Sequence, residues 1–273
     1  MKTRQARAAA VPYVGWMALF IVIPLVLIVV YAFTANDGSF TLQNFASMGD
    51  YAGVFGRSLL LAAIATMICL LLGYPVALAI SKESPTFQKL AMMLIMLPMW
   101  INFLLRTYAW MSLLENTGLI NRFLGLIGIG PFQMINTQGA VVLGMVYNYL
   151  PFMILPIYSV IVKIDRSLIE AAQDLGADGA TVFRKVTFPL SLPGVLSGVT
   201  MVFVPSVSTF IISTLLGGGK DMLLGDLIEM QFVGTAYNPH LGSAISLIMM
   251  VIVIACMLVM NRFGEGEEGA VML

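Results

Sequence analysis

Six stretches of this chain are apolar over the length that a helix needs to cross hydrocarbon, and they leave room for little else. A bilayer core about 30 Å thick takes roughly 20 helical residues. Val11–Phe33, Ser58–Ile80, Leu90–Leu114, Gly139–Val162, Pro193–Leu215 and Gly242–Met260 qualify. Pro24, Pro98, Pro151, Pro156 and Pro205 interrupt them, which membrane helices tolerate because neighbouring groups re-satisfy the freed backbone. Charged residues make up 10% of the 273, against about 25% in soluble domains. That shortage excludes a water-soluble globular domain, a disordered chain and a nucleic-acid binder. The expectation is an all-α polytopic membrane protein, one transmembrane domain over residues 1–273.

The first span follows Lys2, Arg4 and Arg7, as a signal peptide would. Its apolar run is too long for that, and Phe33 stands where cleavage wants a small residue, so an uncleaved anchor is expected. Lys2, Arg4, Arg7, Lys82, Lys89, Lys163, Arg166, Arg184, Lys185 and Arg262 fall on one side of the spans. Only Arg57, Arg122 and Lys220 fall on the other. The basic side is the cytoplasmic one, which predicts that both termini are cytoplasmic.

Several chemistries are excluded by what the spans lack. The one histidine is His240, so a His-based metal site or a Ser-His-Asp triad is not expected, nor is any other metal site. Cys69 and Cys256 lie in apolar runs and imply no disulfide framework. Away from their ends the spans hold no Asp, Glu, Lys or His, and Arg106 alone is charged inside them. A proton-coupled carrier or an intramembrane aspartyl protease would need a carboxylate there. Gly217–Gly218–Gly219–Lys220 is not a phosphate loop, because Thr214 stands at the first glycine position and Asp221 follows the lysine. It reads as a flexible outer loop. No catalytic residue and no cofactor are expected in this chain, which is either passive or driven by a partner.

The residues 163–192 form a cytoplasmic insertion. Over Ile164–Leu175 the spacing puts Leu168, Ile169, Ala172 and Leu175 on one helical face. Gly176–Ala177–Asp178–Gly179 breaks that helix, and Asp178 is a fitting N-cap for a second short helix carrying Val182, Phe183 and Val186. Pro189 and Pro193 are expected to stop it before the next span. Helices this short need an external surface. Few Lys or Arg flank the apolar face, which favours a protein groove over lipid.

Glu170–Ala171–Ala172, three residues, Gly176, nine residues and then Val186–Thr187–Phe188–Pro189 resembles the EAA loop of ABC-importer permeases. The family pattern ends Ile-x-Leu-Pro, and Val186 and Phe188 are conservative replacements. Leu72–Gly73–Tyr74–Pro75, Leu97–Pro98–Met99–Trp100, Leu104–Leu105–Arg106–Thr107–Tyr108, Tyr149–Leu150–Pro151–Phe152, Asp174–Leu175–Gly176–Ala177 and Gln231–Phe232 extend the resemblance to the polyamine branch of these permeases. It implies the type I importer permease fold in a bacterial inner membrane. The implied assembly is this subunit, a second permease, two copies of an ATPase that bind ATP and Mg, and an extracytoplasmic solute-binding protein. The implied coupling residues are Glu170 as polar anchor, Ala171 and Ala172 as close-packing surface and Gly176 as the turn, with Asp174 and Pro189 in the same motif. The implied solute is spermidine, putrescine or a related organic cation. Opine-like compounds, ferric iron and sulfate remain open, as does a membrane enzyme or assembly factor that docks a cytosolic protein.

Ser206, Thr209 and Ser213 recur at i, i+3 and i+7 and either line a translocation path or bond to neighbouring helices. Asp221, Asp226 and Glu229 on the last outer connection, and Glu115 on another, either guide a cation, meet the binding protein or are simply solvated. Asn102 and Arg106 share a face at i, i+4, and Arg106 is expected to stack on Trp110 or to snorkel outward.

Overall fold

The computed structural model describes residues 12–219, 222–234 and 236–268, with side chains up to residue 259. Lys2, Arg4, Arg7, Lys220 and Asp221 lie outside the described residues, as does the side chain of Arg262. The described chain is helical, with one isolated bridge between Thr34 and Phe40. Five helices are long and apolar enough to cross a membrane, and a bent pair meets the same test when its two parts are counted as one span.

In chain order these are α1 (Pro12–Ala32), the short α2 (Gln43–Ala46) and α3 (Ala52–Ser81). The bent pair is α4 (Pro85–Trp100) and α5 (Phe103–Leu114), followed by α6 (Leu119–Leu126). Then come α7 (Gln138–Ile161), α8 (Arg166–Asp174) and α9 (Gly179–Ser208). The chain closes with α10 (Ile211–Gly217), α11 (Leu224–Phe232) and α12 (Pro239–Glu268).

Two expectations about these helices are corrected. Leu90–Leu114 is not one rod: the chain bends 87° between α4 and α5–α6. Ile101 turns extended, with ψ 140°, and Asn102 caps the new helix by accepting from Leu104 N at 2.9 Å and Leu105 N at 3.4 Å. An asparagine that satisfies the orphan donors of a fresh first turn makes a restart cheap even inside an apolar run. Conversely, Pro189 and Pro193 stop nothing. The helix that starts at Gly179 runs through a π-turn at Phe183–Thr187 and on to Ser208. A proline clashes with the carbonyl four residues back. For Pro189 that carbonyl is Lys185, inside the wider π-turn, where the extra residue makes room. Pro193–Leu215 is likewise two helices, because Thr209 is extended with ψ 139° and α10 restarts beyond it.

By their contacts, the described residues fall into two compact units. One is Met1–Gly53 with Leu227–Ile254. In it α1 is apolar all round and buries only Ala32 at its end, as suits a helix in lipid. Asn44 Nδ2 donates to Ala32 O and Thr34 O at 3.0 Å each, and His240 Nδ1 lies 3.1 Å from Tyr31 O.

The other unit is Val54–Asp226 with Ala255–Leu273. Its core packs α3, α7 and α9 through small residues that let backbones approach. A Cβ on Gly194 would lie 2.8 Å from Pro156 O, and one on Gly198 would lie 2.8 Å from Met153 Sδ. Ala65, Cys69 and Ala77 on the buried side of α3 share one core cluster with Met145, Met153 and Ile157 of α7.

Candidate functional site: a capped surface helix and a carboxylate-closed loop

The segment between α7 and α9 is built from local bonds. Asp165 accepts from Ser167 N at 2.9 Å and starts α8. The other end closes on Gly176, whose φ of +82° is a conformation that side-chain-bearing residues resist. Gly176 N donates to Gln173 O at 2.8 Å and Ala177 N donates to Ala172 O at 3.0 Å. Those two reverse bonds satisfy carbonyls that the helix end would otherwise leave bare. Asp178 then accepts from Thr181 N at 3.0 Å and opens α9, as the sequence predicts. Hydrogen bonding to Ser167 holds the Asp165 carboxyl below its ordinary value, and bonding to Thr181 does the same for Asp178. Both caps are therefore ionised at neutral pH and accept strongly.

α8 is flanked by two hollows. One of about 530 Å³ is lined by Lys82, Gln88, Arg166, Ile169 and Glu170. Gln88 is fixed there by Tyr158, whose hydroxyl donates to Gln88 Oε1 at 2.9 Å. The other, about 470 Å³, is lined by Ala172, Gly176, Ala177, Lys185 and Val186. The rest of the subunit covers the apolar residues of α8 unequally. Ile169 and Ala172 are half-buried, while Leu168 is 48% and Leu175 is 90% exposed. Glu170, Ala171, Asp174 and Gly176 are exposed too, and Pro189 is half-buried within α9. Leu168 and Leu175 are thus left uncovered on a helix whose two ends are capped.

The second constellation ties α10 to the start of α11. Ser213 Oγ and Thr214 Oγ1 donate to Asp226 Oδ1 at 2.8 and 2.9 Å, and Leu223 N donates to Oδ2 at 2.8 Å. Burial pushes the Asp226 carboxyl above its ordinary value, and the three bonds oppose that shift. Gly225 beside it has no room for a side chain, because a Cβ would strike the carbonyls of Ser208 and Thr209. Leu224 N donates to the buried Ser58 hydroxyl at 2.8 Å. The structure thus brings together Ser213 and Asp226 and adds Thr214, Leu223 and Ser58. No local pattern points to that set, since 166 positions separate Ser58 from Leu224.

The expected row Ser206, Thr209 and Ser213 is not one helical face, because the helix breaks at Thr209. Ser206 is buried and donates to Val202 O at 2.7 Å, and Thr209 bonds to Tyr149. Glu229 is exposed and belongs to the other unit. Arg106 stacks not on Trp110 but over the Phe103 ring, 5.9 Å from its centroid. Trp110 packs edge-on against Tyr147 at 5.3 Å.

Comparison with known proteins agrees with this architecture. Over 258 residues the chain is 39% identical to the spermidine/putrescine transport system permease protein PotB of Haemophilus influenzae, covering 91% of this chain and 90% of that one. With PotB of Escherichia coli K12 it is 37% identical over 262 residues, covering 92% and 95%. Among solved structures, a bacterial ABC transporter involved in the import of the acidic polysaccharide alginate overlays with a TM-score of 0.83. That overlay covers 97% of this chain and 96% of that one at 16% identity, and speaks for the fold alone. The inward-facing MetNI methionine ABC transporter overlays at 0.57 with 18% identity, covering 79% and 94%. Residues 69–265 match the family described as binding-protein-dependent transport system inner membrane component. With so much of its length matched, and with the helical architecture above, the chain belongs to that family of ABC-importer permeases.

Proposed function

We propose that this subunit forms, with a second permease, the path by which an ATP-driven importer brings a polyamine, spermidine or putrescine, across a bacterial inner membrane. The observation that carries the reading is the 39% identity to a spermidine/putrescine permease over 90% of that protein's length. The overlay on an alginate importer, at 16% identity, gives no support to a polysaccharide.

The remaining partners are two ATPase copies, which bind ATP and Mg, and an extracytoplasmic solute-binding protein. Both termini and the α8 segment face the cytoplasm in this reading. Leu168, Ala171 and Leu175 form the apolar foot that enters the ATPase, with Glu170 and Asp174 beside it and Gly176 fixing the turn. A ligand moves a conformational equilibrium only by interacting differently with its states. ATP held between the two ATPase copies favours the closed pair, and α8 seated in that pair is carried along. Its two caps keep α8 whole while it moves. Asp226 is occupied in closing its loop, which leaves the exposed Glu229 and Glu115 as carboxylates available to a cationic solute or to the binding protein.

The test is uptake of labelled putrescine and spermidine by cells lacking other polyamine importers and supplied with all four components. Saturable uptake of at least one, competed by the other and lost without the ATPase, is expected. An assembled complex that takes up neither would refute the solute assignment.

A further inference from the structure

A groove of about 590 Å³ runs between α3 and the first turns of α9. Its floor is apolar: Leu70, Leu71 and Pro75 from α3, with Val195 from α9. Its mouth is aromatic. The Tyr74 ring meets Phe183 edge-on at 5.7 Å and Phe188 at 5.8 Å, and its hydroxyl lies 2.7 Å from Ser191 Oγ. Phe183 and Arg184 stand in the second turn of α9, a helix long and apolar enough to cross a membrane, and the end of such a helix is the level where hydrocarbon gives way to headgroups.

One charged group lines this groove, the exposed guanidinium of Arg184. No carboxylate is paired with it among the described residues. Lys185, the next residue, lines the hollow beside α8 instead. The π-turn Phe183–Thr187 thus divides two adjacent cations between two surfaces. A cation with a free planar fork at headgroup level, over an apolar trough, matches a phosphate diester carrying an acyl chain.

We propose that this groove binds one anionic phospholipid, its phosphate on Arg184 and an acyl chain along Leu70, Leu71, Pro75 and Val195. A second permease helix laid over the same face would bring no charge to Arg184 unless it carried an acid there. A zwitterionic lipid brings its own ammonium, which offsets the attraction. Only the choice of the inner leaflet rests on the cytoplasmic placement of α8 under Proposed function. Lipid retention is read without transport, so a failure of the polyamine assignment leaves the lipid result standing, and the reverse.

The experiment uses the assembled importer in nanodiscs of phosphatidylcholine with a minority of phosphatidylglycerol, and mass spectrometry of the lipid that stays bound after detergent exchange. Phosphatidylglycerol is expected to be enriched over the nanodisc composition. Arg184→Gln should lower that enrichment about fivefold, and Leu71→Trp, which fills the trough, should lower it too. Both positions are exposed, so the melting temperature serves as the control for folding. Enrichment unchanged by either substitution overturns the proposal. So does a photo-crosslinker at position 71 that labels the second permease instead of lipid.

Discussion

Ser213 Oγ lies 2.8 Å from Asp226 Oδ1 and also 2.8 Å from Phe210 O, and one hydroxyl proton must serve both acceptors. The pair is therefore adaptable. An asparagine at 226 could donate to Ser213 while the hydroxyl turns to Phe210. Asp226→Asn is predicted to keep stability within about 1 kcal/mol of the parent and to retain uptake. Asp226→Ala leaves Ser213 its bond to Phe210 O but orphans the Leu223 N–H, and should cost about 1–3 kcal/mol. Thermal unfolding of the purified complex checks both. Loss of uptake by a well-folded Asp226→Asn variant would instead put this carboxylate in the solute path.

The same group gives a pH dependence. Its folded value lies above its ordinary 3.8, chiefly through burial. Between the two values the folded state binds more protons than the unfolded one, so stability falls as pH rises through that window and is level above it. The melting temperature of the parent, relative to Asp226→Asn, should therefore rise on acidification towards pH 3.8. Asp165 and Asp178 act oppositely, since their folded values lie below 3.8. Their capping is complete at neutral pH and is lost only as pH falls through those depressed values, which hydrogen exchange over α8 and the start of α9 would report.

At Gly176 an added Cβ meets nothing within 4 Å, so the penalty for a side chain is conformational alone. Gly176→Ala should cost about 1 kcal/mol locally. Gly176→Asp, which tolerates a left-handed turn better, should leave α8 formed yet place a charge on the docking surface. Normal expression with uptake abolished, and with ATPase activity no longer stimulated by the binding protein, is expected.

Leu175 is 90% exposed. Leu175→Glu should leave the melting temperature of the isolated subunit unchanged, because no buried contact is lost. Copurification with the ATPase should fall at least tenfold, read by quantitative blotting.

Gly194 and Gly125 make a matched pair. A side chain at Gly194 would press on Pro156 O and Ile157 Cα, both backbone. Gly194→Val should therefore separate α7 from α9 and cost about 1–3 kcal/mol. Gly125→Ala in α6 meets nothing within 4 Å and should gain about 0.5–1 kcal/mol from helix propensity. Thermal shift of the two variants in one detergent reads the difference.

What could be read from the residues alone follows from the range of the forces involved. Apolar length and missing charge are local properties, so the membrane helices were legible. So were the turn at Gly176 and the cap at Asp178, each made within a few residues. The 87° bend before α5 was not, because its signal is one capping asparagine within an apolar run. The passage through Pro189 was hidden for a related reason: a π-turn has no sequence signature, and without it a proline reads as a stop. The Asp226 loop escaped because its partners come from α3, α10 and the chain before α11. The apolar positions of α8 were identified correctly, but not which of them the rest of the subunit would cover.

The unbroken course of α9 has a mechanical consequence. Thirty residues from Gly179 to Ser208 make a strut about 45 Å long. Its near end adjoins the exposed Gly176 turn, and its far end abuts the buried Thr209, where the backbone swings away. Had Pro189 cut the strut, a push at one end would have been absorbed by a joint. As built, the helix continues without such a joint at Pro189 and ends only at Thr209, where the backbone turns extended.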